Sequence, residues 1–441
     1  MRGARGGAAV SVMLAAAVPA SAGPDRATFL SLLHDGRFEA AARAIRENGP
    51  VTSPDDLFFD AFTTYWRLVF DDDNLTLKAE LESKLDATVA AAESQGGTAE
   101  GALWGGLAHL LLAGLEASER RPFAAAFAAK RAKRLLEVPA IEGKARVDAL
   151  FGLGTFNYVA DTVPSYVKGL RALLFLPKGN RVVGLNQIAA AAAGSRYFAF
   201  EARTLLVTIY ANRHERLYDR ALEERDRLIA TYPDRIASAY AAARLDLSLG
   251  RNAAAIERLR GAEERARSLG DVDPVVVLSL EWLQARAELA SFRPDRVEAI
   301  TKRALAAGNG LGPELRRDFE VMQKVAVRQG DGIPWESLSP ETYAISASAH
   351  PQHPLLALLA GDAALRAGRA QEASDWFVRA VKAGLPPDLL TGCQLRQAQA
   401  ADLLGRRPQA LAIYKIVAST SGFIARDAAF YYQQAPFRTL P

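Results

Sequence analysis

Few side chains in this sequence could do chemistry, and they are scattered. There are five histidines: His34, His109, His214, His350 and His353. His350-Pro-Gln-His353 has a spacing that some metal sites use, but Pro351 prevents a regular helix from turning both rings to one face, and no acidic or cysteine ligand lies nearby. The pair reads as a solvated loop. His109 sits in an apolar stretch and reads as a hydrogen-bonded core histidine. Asp71-Asp72-Asp73-Asn74 has the charge of a calcium loop but lacks the order, glycine and closing glutamate of an EF-hand, so it reads as a turn capping the next helix. Gly308-Asn309-Gly310-Leu311-Gly312 follows a helical pattern instead of a strand and lacks the Lys-Ser/Thr of a phosphate loop; it reads as a connection. Cys393 has no activating neighbour and excludes an internal disulfide framework or a cysteine-based zinc site. No G-x-S-x-G elbow or H-E-x-x-H pair occurs. The expectation is therefore no enzyme, no cofactor and no metal. Lys130-Arg131-x-Lys133-Arg134 is the most basic patch and reads as a solvated helical face, with contact to an anionic surface as its alternative.

The elements that would carry these residues are helical throughout. The 441 residues are 50% hydrophobic and 24% charged, which excludes wholesale disorder and leaves room for a substantial core. Almost every segment has a 3.6-residue apolar period built from Ala, Leu, Arg and Glu, while alternating Val/Ile/Thr runs are missing. Ser53-Pro54-Asp55-Asp56, Gly312-Pro313-Glu314 and Ser339-Pro340-Glu341 carry the chemistry of helix starts. Gly101 to Leu115 is the most apolar run; at fifteen residues followed by Glu116 it suits a buried helix better than a membrane span.

Residues 1–22 have a different grammar. Arg2 and Arg5 precede an apolar stretch from Ala8 to Val18, and Ala20-Ser21-Ala22 is a small-x-small cleavage site. This predicts an exported chain starting at Gly23. Its removal takes away two arginines and lowers the formal net charge from +4 to +2, so nucleic acid is a poor partner on charge alone. With 43 Arg against 11 Lys, the cation usage reads as a compositional bias.

Internal repeats set the architecture. In Gly361–Pro386, small residues at Gly361 and Ala373 permit close crossing of two helices, Gly368-Arg369 turns the chain, and Phe377 fills a gap toward the next hairpin. Gly405, Ala410 and Tyr414 repeat this pattern, as do Gly250, Ala255, Leu259 and Ala262; Tyr218, Ala221, Leu228 and Pro233; Ala299 and Ala306; and Gly36, Phe38 and Ala41. Ala221 and Ala255 are 34 residues apart, Ala373 and Ala410 are 37. The pattern resembles the tetratricopeptide repeat, whose period is about 34. Residues 150–209 are also similar to a group of large exported bacterial tetratricopeptide-repeat proteins, through Gly152-Leu153-Gly154, Tyr158, Pro164, Leu176-Pro177-x-Gly179 and Gly184-Leu185; Asn180 stands where that group carries an acid.

The resemblance implies an all-α fold, an α-α superhelix of stacked helical hairpins with one set of helices lining a concave groove. Carried over position by position, the groove-facing residues are Arg203, Tyr210, Tyr240, Arg244, Arg366, Arg396 and Gln399, of the types that peptide recognition uses. Asp362 stands where peptide-carboxylate clamps of the family have asparagine, so that kind of clamp is not expected. The expected organisation is a leader (1–22), degenerate hairpins (23–200), tetratricopeptide-like repeats (201–330), a connecting loop (331–350) and further repeats (351–441). The function that follows is an exported, non-enzymatic scaffold, in the periplasm or at the outer membrane of a bacterium, binding a protein or peptide segment or serving as a subunit of an envelope assembly. The alternative is a peptidoglycan-related hydrolase or lyase with a helical superstructure. It would need a catalytic domain, for which repeat-like helices continuing almost to Pro441 leave little room.

Overall fold

A computed structural model describes residues 26–47, 50–72, 74–162, 178–212, 214–307, 311–333, 335–420 and 425–438. The leader, Pro164, Leu176-Pro177 and Gly308–Gly310 lie outside the described residues. Within them the protein is all-α. The helices are α1 (Arg26–His34), α2 (Phe38–Arg46), α3 (Pro54–Phe70), α4 (Leu75–Ser94), α5 (Ala99–Ser118), α6 (Pro122–Leu136) and α7 (Gly143–Thr162). They continue with α8 (Arg181–Gly194), α9 (Ala199–Ala211), α10 (Tyr218–Thr231), α11 (Ile236–Ser248), α12 (Asn252–Leu269), α13 (Pro274–Ala290) and α14 (Pro294–Ala306). The last are α15 (Pro313–Gly330), α16 (Tyr343–Ala349), α17 (Pro354–Arg366), α18 (Ala370–Lys382), α19 (Pro387–Leu403), α20 (Arg407–Ser419) and α21 (Ala425–Gln434).

Sequential helices pack as hairpins, and odd-numbered helices from α3 on also touch the next odd-numbered one in most of the chain. This is the packing of a helical-hairpin solenoid. Burial follows it: α5 is buried almost continuously from Gly101 to Leu115, whereas its partner α6 buries only Ala132 and Leu136. Among the described residues no helix is long and apolar enough to cross a membrane.

The hairpin turns share one local geometry. Gly36, Gly250, Gly368 and Gly405 all have φ between 70° and 74°, a left-handed conformation that glycine adopts without Cβ strain. In each, the following arginine N–H reaches back five residues, as from Arg37 to Leu32 (2.9 Å) and from Arg369 to Ala364 (2.9 Å). This Schellman closure satisfies carbonyls at the helix end. Arg120 and Phe292 hold the same turn at φ 57° and 62° without being glycine. The Phe292 ring compensates by burying itself against Gly392 of α19, where a Cβ would come within 2.8 Å of it.

Helix starts follow the local chemistry. Ser53 accepts from Asp56 N–H (3.3 Å) at the start of α3, with Pro54 in the first position. Asn74 accepts from Leu77 N–H (3.0 Å) to cap α4. Asn180 accepts from Val183 N–H (3.1 Å) to cap α8. Ser339-Pro340-Glu341 does not start a helix: Ser339 to Thr342 form a hydrogen-bonded turn and α16 begins at Tyr343. The stretch 331–350 is accordingly partly helical, with a 3-10 turn at Trp335–Ser337.

Small residues set the helix separations. A Cβ at Gly361 would lie 2.5 Å from the Phe377 ring, so Phe377 fills the crossing within its own hairpin instead of only the gap to the next one. Gly154 and Gly184 face each other across α7 and α8: a Cβ on Gly184 would come within 2.6 Å of Tyr158 N and 2.8 Å of the Gly154 carbonyl oxygen.

The superhelix closes on itself. The first hairpin and α3 pack across the interior against α11 and α13, and α21 packs against α11. One core joins side chains from Phe29 to Ala287, with Phe198 and Leu228 on either side of the expected boundary at 200. Its aromatic centre joins Phe58 to Phe198 (6.0 Å), Trp104 to Tyr197 (5.6 Å) and His34 to Phe200 (3.9 Å, stacked). Asp35, at the end of α1, is held by Arg235 (2.7 Å) and Arg265 (3.2 Å). The Gly36 carbonyl accepts from Asp273 N–H (2.9 Å). The Ser279 hydroxyl donates to the Phe70 carbonyl.

Two alanine substitutions separate the roles of glycine. Gly184→Ala, which meets backbone, should destabilise by about 1–3 kcal/mol, whereas Gly114→Ala, with open space around its Cβ position, should stabilise by up to about 1 kcal/mol through helix propensity. Thermal melts of both variants check this; equal effects would remove the argument from helix separation.

Candidate functional site

The seven residues expected to face the groove fall into three separate places. Arg203 on α9 donates to Glu224 of α10 (2.9 Å) and to the Ala192 carbonyl (3.3 Å), which makes it an interhelical tie. Tyr210, on the same helix, is buried, with the Arg220 guanidinium 6.0 Å from its ring centre.

Arg366, Arg396 and Gln399 form a second group, and here the expectation of a free groove is corrected. Arg396 is 2% exposed and Gln399 is 0% exposed. Asp362 of α17 takes Arg366 (2.8 Å) and Arg396 (3.1 Å), and Arg396 donates to Gln399 (2.9 Å). The acid that precludes a peptide clamp thus serves as the counter-charge for two arginines. The inner wall is packed against the next helix here, so Arg396 and Gln399 cannot meet a ligand.

Tyr240 and Arg244 form the third place, and they open onto a cleft. It has a volume of about 250 Å³ and lies between the end of α3 and helices α11, α13 and α15. Tyr240 is mostly buried, 5.0 Å from Phe70 between ring centres, and the exposed Arg244 guanidinium lies 5.8 Å from its face. The next inner helix repeats the arrangement: Arg286 lies 4.6 Å over Trp282. Sequence reasoning passed over Trp282 and Arg286, although both helices carry the same aromatic-x-x-x-Arg spacing, which puts ring and cation on one helical face. Among the described residues neither Arg244 nor Arg286 makes an ion pair. Burial, and then the charge of Arg244, push the Arg286 guanidinium below its ordinary range, while burial raises the Tyr240 phenol.

The opposite walls are acidic. Asp71 and Asp72 follow α3, and Glu314 and Asp318 lie on α15. Asp71 accepts from Asn74 (2.8 Å) and lies against Gly312 at the positive end of α15; Asp318 accepts from the Trp282 indole N–H (3.2 Å). The cleft therefore presents two stacked cations facing fixed carboxylates, with aromatic walls between. It suits a segment carrying both charges and an apolar side chain better than a lone anion. A larger open depression of about 580 Å³ along α12 lacks these features: it has no aromatic ring, and its arginine, Arg260, is paired with Glu288 (3.1 Å).

The remaining reactive candidates are quiet. Cys393 is buried and its thiol is pushed up to about 12 by burial. His109 is buried, and burial followed by the charge of Arg131 lowers its pKa; its Nδ1 has no partner, so the expected core hydrogen bond is not made there. His350 and His353 flank the turn before α17, and His353 Nε2 lies 3.3 Å from the Asp331 carbonyl oxygen. Among the described residues no group of His, Cys, Asp and Glu could hold a metal ion.

No family model matches this chain. No curated protein matches it either. Among solved structures it is similar to the crystal structure of the yeast Tom70, at 12% identity over 93% of this chain and 88% of that chain, with a TM-score of 0.35. The hairpin architecture rests on the packing described above.

The Asp362 network gives a signed prediction. Burial tends to raise the Asp362 carboxyl, but Arg366 and Arg396 outweigh it, so its pKa is lowered. Its contribution is complete above the unfolded-state value of about 4 and is lost as pH falls through the lower folded value. Asp362→Ala, which strands Arg396, should cost about 3–5 kcal/mol near neutrality. Denaturant titrations of wild type and Asp362→Asn between neutral and acid pH should show an acid-linked loss in the wild type that the variant lacks.

Proposed function

We propose that this protein is an exported, non-enzymatic scaffold of the tetratricopeptide-repeat type, which binds a protein segment at the cleft around Tyr240, Arg244, Trp282 and Arg286. The observation that carries the reading is the pair of ring-stacked guanidinium groups, free of ion pairs among the described residues and facing acidic walls across one cleft. Arginine on an aromatic face keeps donors available for carboxylates and backbone carbonyls, and large stiff rings concentrate binding energy in few residues. Stacked hairpins supply the rigid frame. The leader pattern in residues 1–22 supports a place in the periplasm or at the outer membrane of a bacterium, as a component of an envelope assembly.

The test is photocrosslinking from position 248, on the cleft wall, in cells of the native organism. One partner should be captured in preference to others, and Arg244→Glu with Arg286→Glu should reduce its yield at least about tenfold, the loss expected for charged anchors at a binding centre. Unchanged helical circular dichroism would show that the fold survives. Undiminished capture in the double variant would sink the cleft as the binding place.

A further inference from the structure

The outer helix α6 exposes aromatic rings and cations together. Its face toward α5 is lined by Ala132 and Leu136, with Leu136 seated where a Cβ on Gly106 would clash. On the opposite face Phe123 and Phe127 are each 51% exposed. The same face continues through Lys130, Arg131 and Arg134, all exposed. At helical spacing these five residues form one stripe about 17 Å long.

The charge on this helix is one-sided. Pro122–Leu136 contains Lys130, Arg131, Lys133 and Arg134 and no acid, so its +4 equals the formal net charge of the whole chain. Lys133 is paired with Glu137 (2.5 Å), and the neighbouring Glu116 is taken by Arg121 (2.7 Å). Among the described residues Lys130, Arg131 and Arg134 have no ion-pair partner. An acidic protein would satisfy the cations, but it would not by itself account for two exposed phenyl rings in line with them on one helical face. Rings and cations on one helical face match an anionic lipid surface, where the rings enter the headgroup boundary and the cations meet phosphate groups.

We infer that the outer face of α6 is a peripheral docking surface for anionic lipid bilayers. Phe123 and Phe127 insert, and Lys130, Arg131 and Arg134 neutralise headgroup charge. The solenoid then lies with this outer helix on the membrane and the α11/α13 cleft free for its partner.

The experiment is co-sedimentation of the full chain with vesicles of phosphatidylcholine alone and of phosphatidylcholine mixed with phosphatidylglycerol. Using the full chain throughout makes any contribution of residues 1–22 common to all variants. Wild type should bind the mixed vesicles more tightly, with affinity falling as salt rises. The triple variant Lys130→Glu/Arg131→Glu/Arg134→Glu should weaken binding at least about tenfold. The pair Phe123→Ser/Phe127→Ser should weaken it independently, and both variants should keep wild-type melting curves because the positions are exposed. Equal binding to both vesicle types, or wild-type binding by either variant, would overturn the proposal. So would lipid-free self-association that the serine pair abolishes, because the stripe would then be a contact between copies. Capture of an acidic protein without vesicle binding would overturn it as well.

Discussion

Asp35 sits where the first hairpin turns, buried between Arg235 and Arg265, and the adjacent Gly36 carbonyl receives the Asp273 amide. These bonds join residues roughly two hundred positions apart, and the rest of the architecture depends on them. An open solenoid buries each hairpin only against its neighbours. Here the first turn meets the sixth hairpin and the connection that follows it, so α1 and α3 lose their free inner face and the middle helices gain a second layer. The cost of bringing such distant segments together grows only slowly with loop length, so a modest set of charged and apolar contacts suffices to hold the closure.

The same economy runs through the whole chain. Buried carboxylates face arginines on other helices or turns: Asp148 with Arg196, Asp246 with Arg225 and Arg258, Asp402 with Arg407, Glu281 with Arg303 and Glu215 with Arg181. A planar guanidinium satisfies a carboxylate through two parallel bonds and can reach from a half-exposed stem, which a lysine ammonium cannot reproduce. What looks in the sequence like compositional excess therefore has structural work in these pairs. Arg244 and Arg286 differ by lying over rings instead of against acids, as Arg379 does over Trp376, and Arg244 and Arg286 share one cleft with acidic walls.

The repeat grammar was legible because it is local. Gly-Arg turns at 250, 368 and 405, small residues at Gly361 and Ala373, and the caps at Ser53 and Asn74 each depend on a few adjacent residues. Closure was not legible, since nothing in the neighbourhood of Asp35 announces Arg235 or Arg265. That gap explains the groove assignments. A register borrowed from open solenoids placed Arg396 and Gln399 on a free wall, whereas neighbouring helices cover them. Trp282 and Arg286 could have been found by aligning α13 on α11, because their spacing copies that of Tyr240 and Arg244. Phe123 and Phe127 look like core positions in the sequence; only the packing of α6 on α5 shows them turned outward.

A core that joins side chains from Phe29 through to Ala287 changes how the chain must come apart. In a linear array, terminal units fray first and the remainder survives, so stability is a sum over neighbours. Here, stripping away the leading hairpin uncovers the middle of the molecule at the same moment. Unzipping from that end is replaced by a larger cooperative unit, to which the apolar cluster from Ile333 to Phe437 is tied through α21, with Phe430 and Tyr431 against the middle helices.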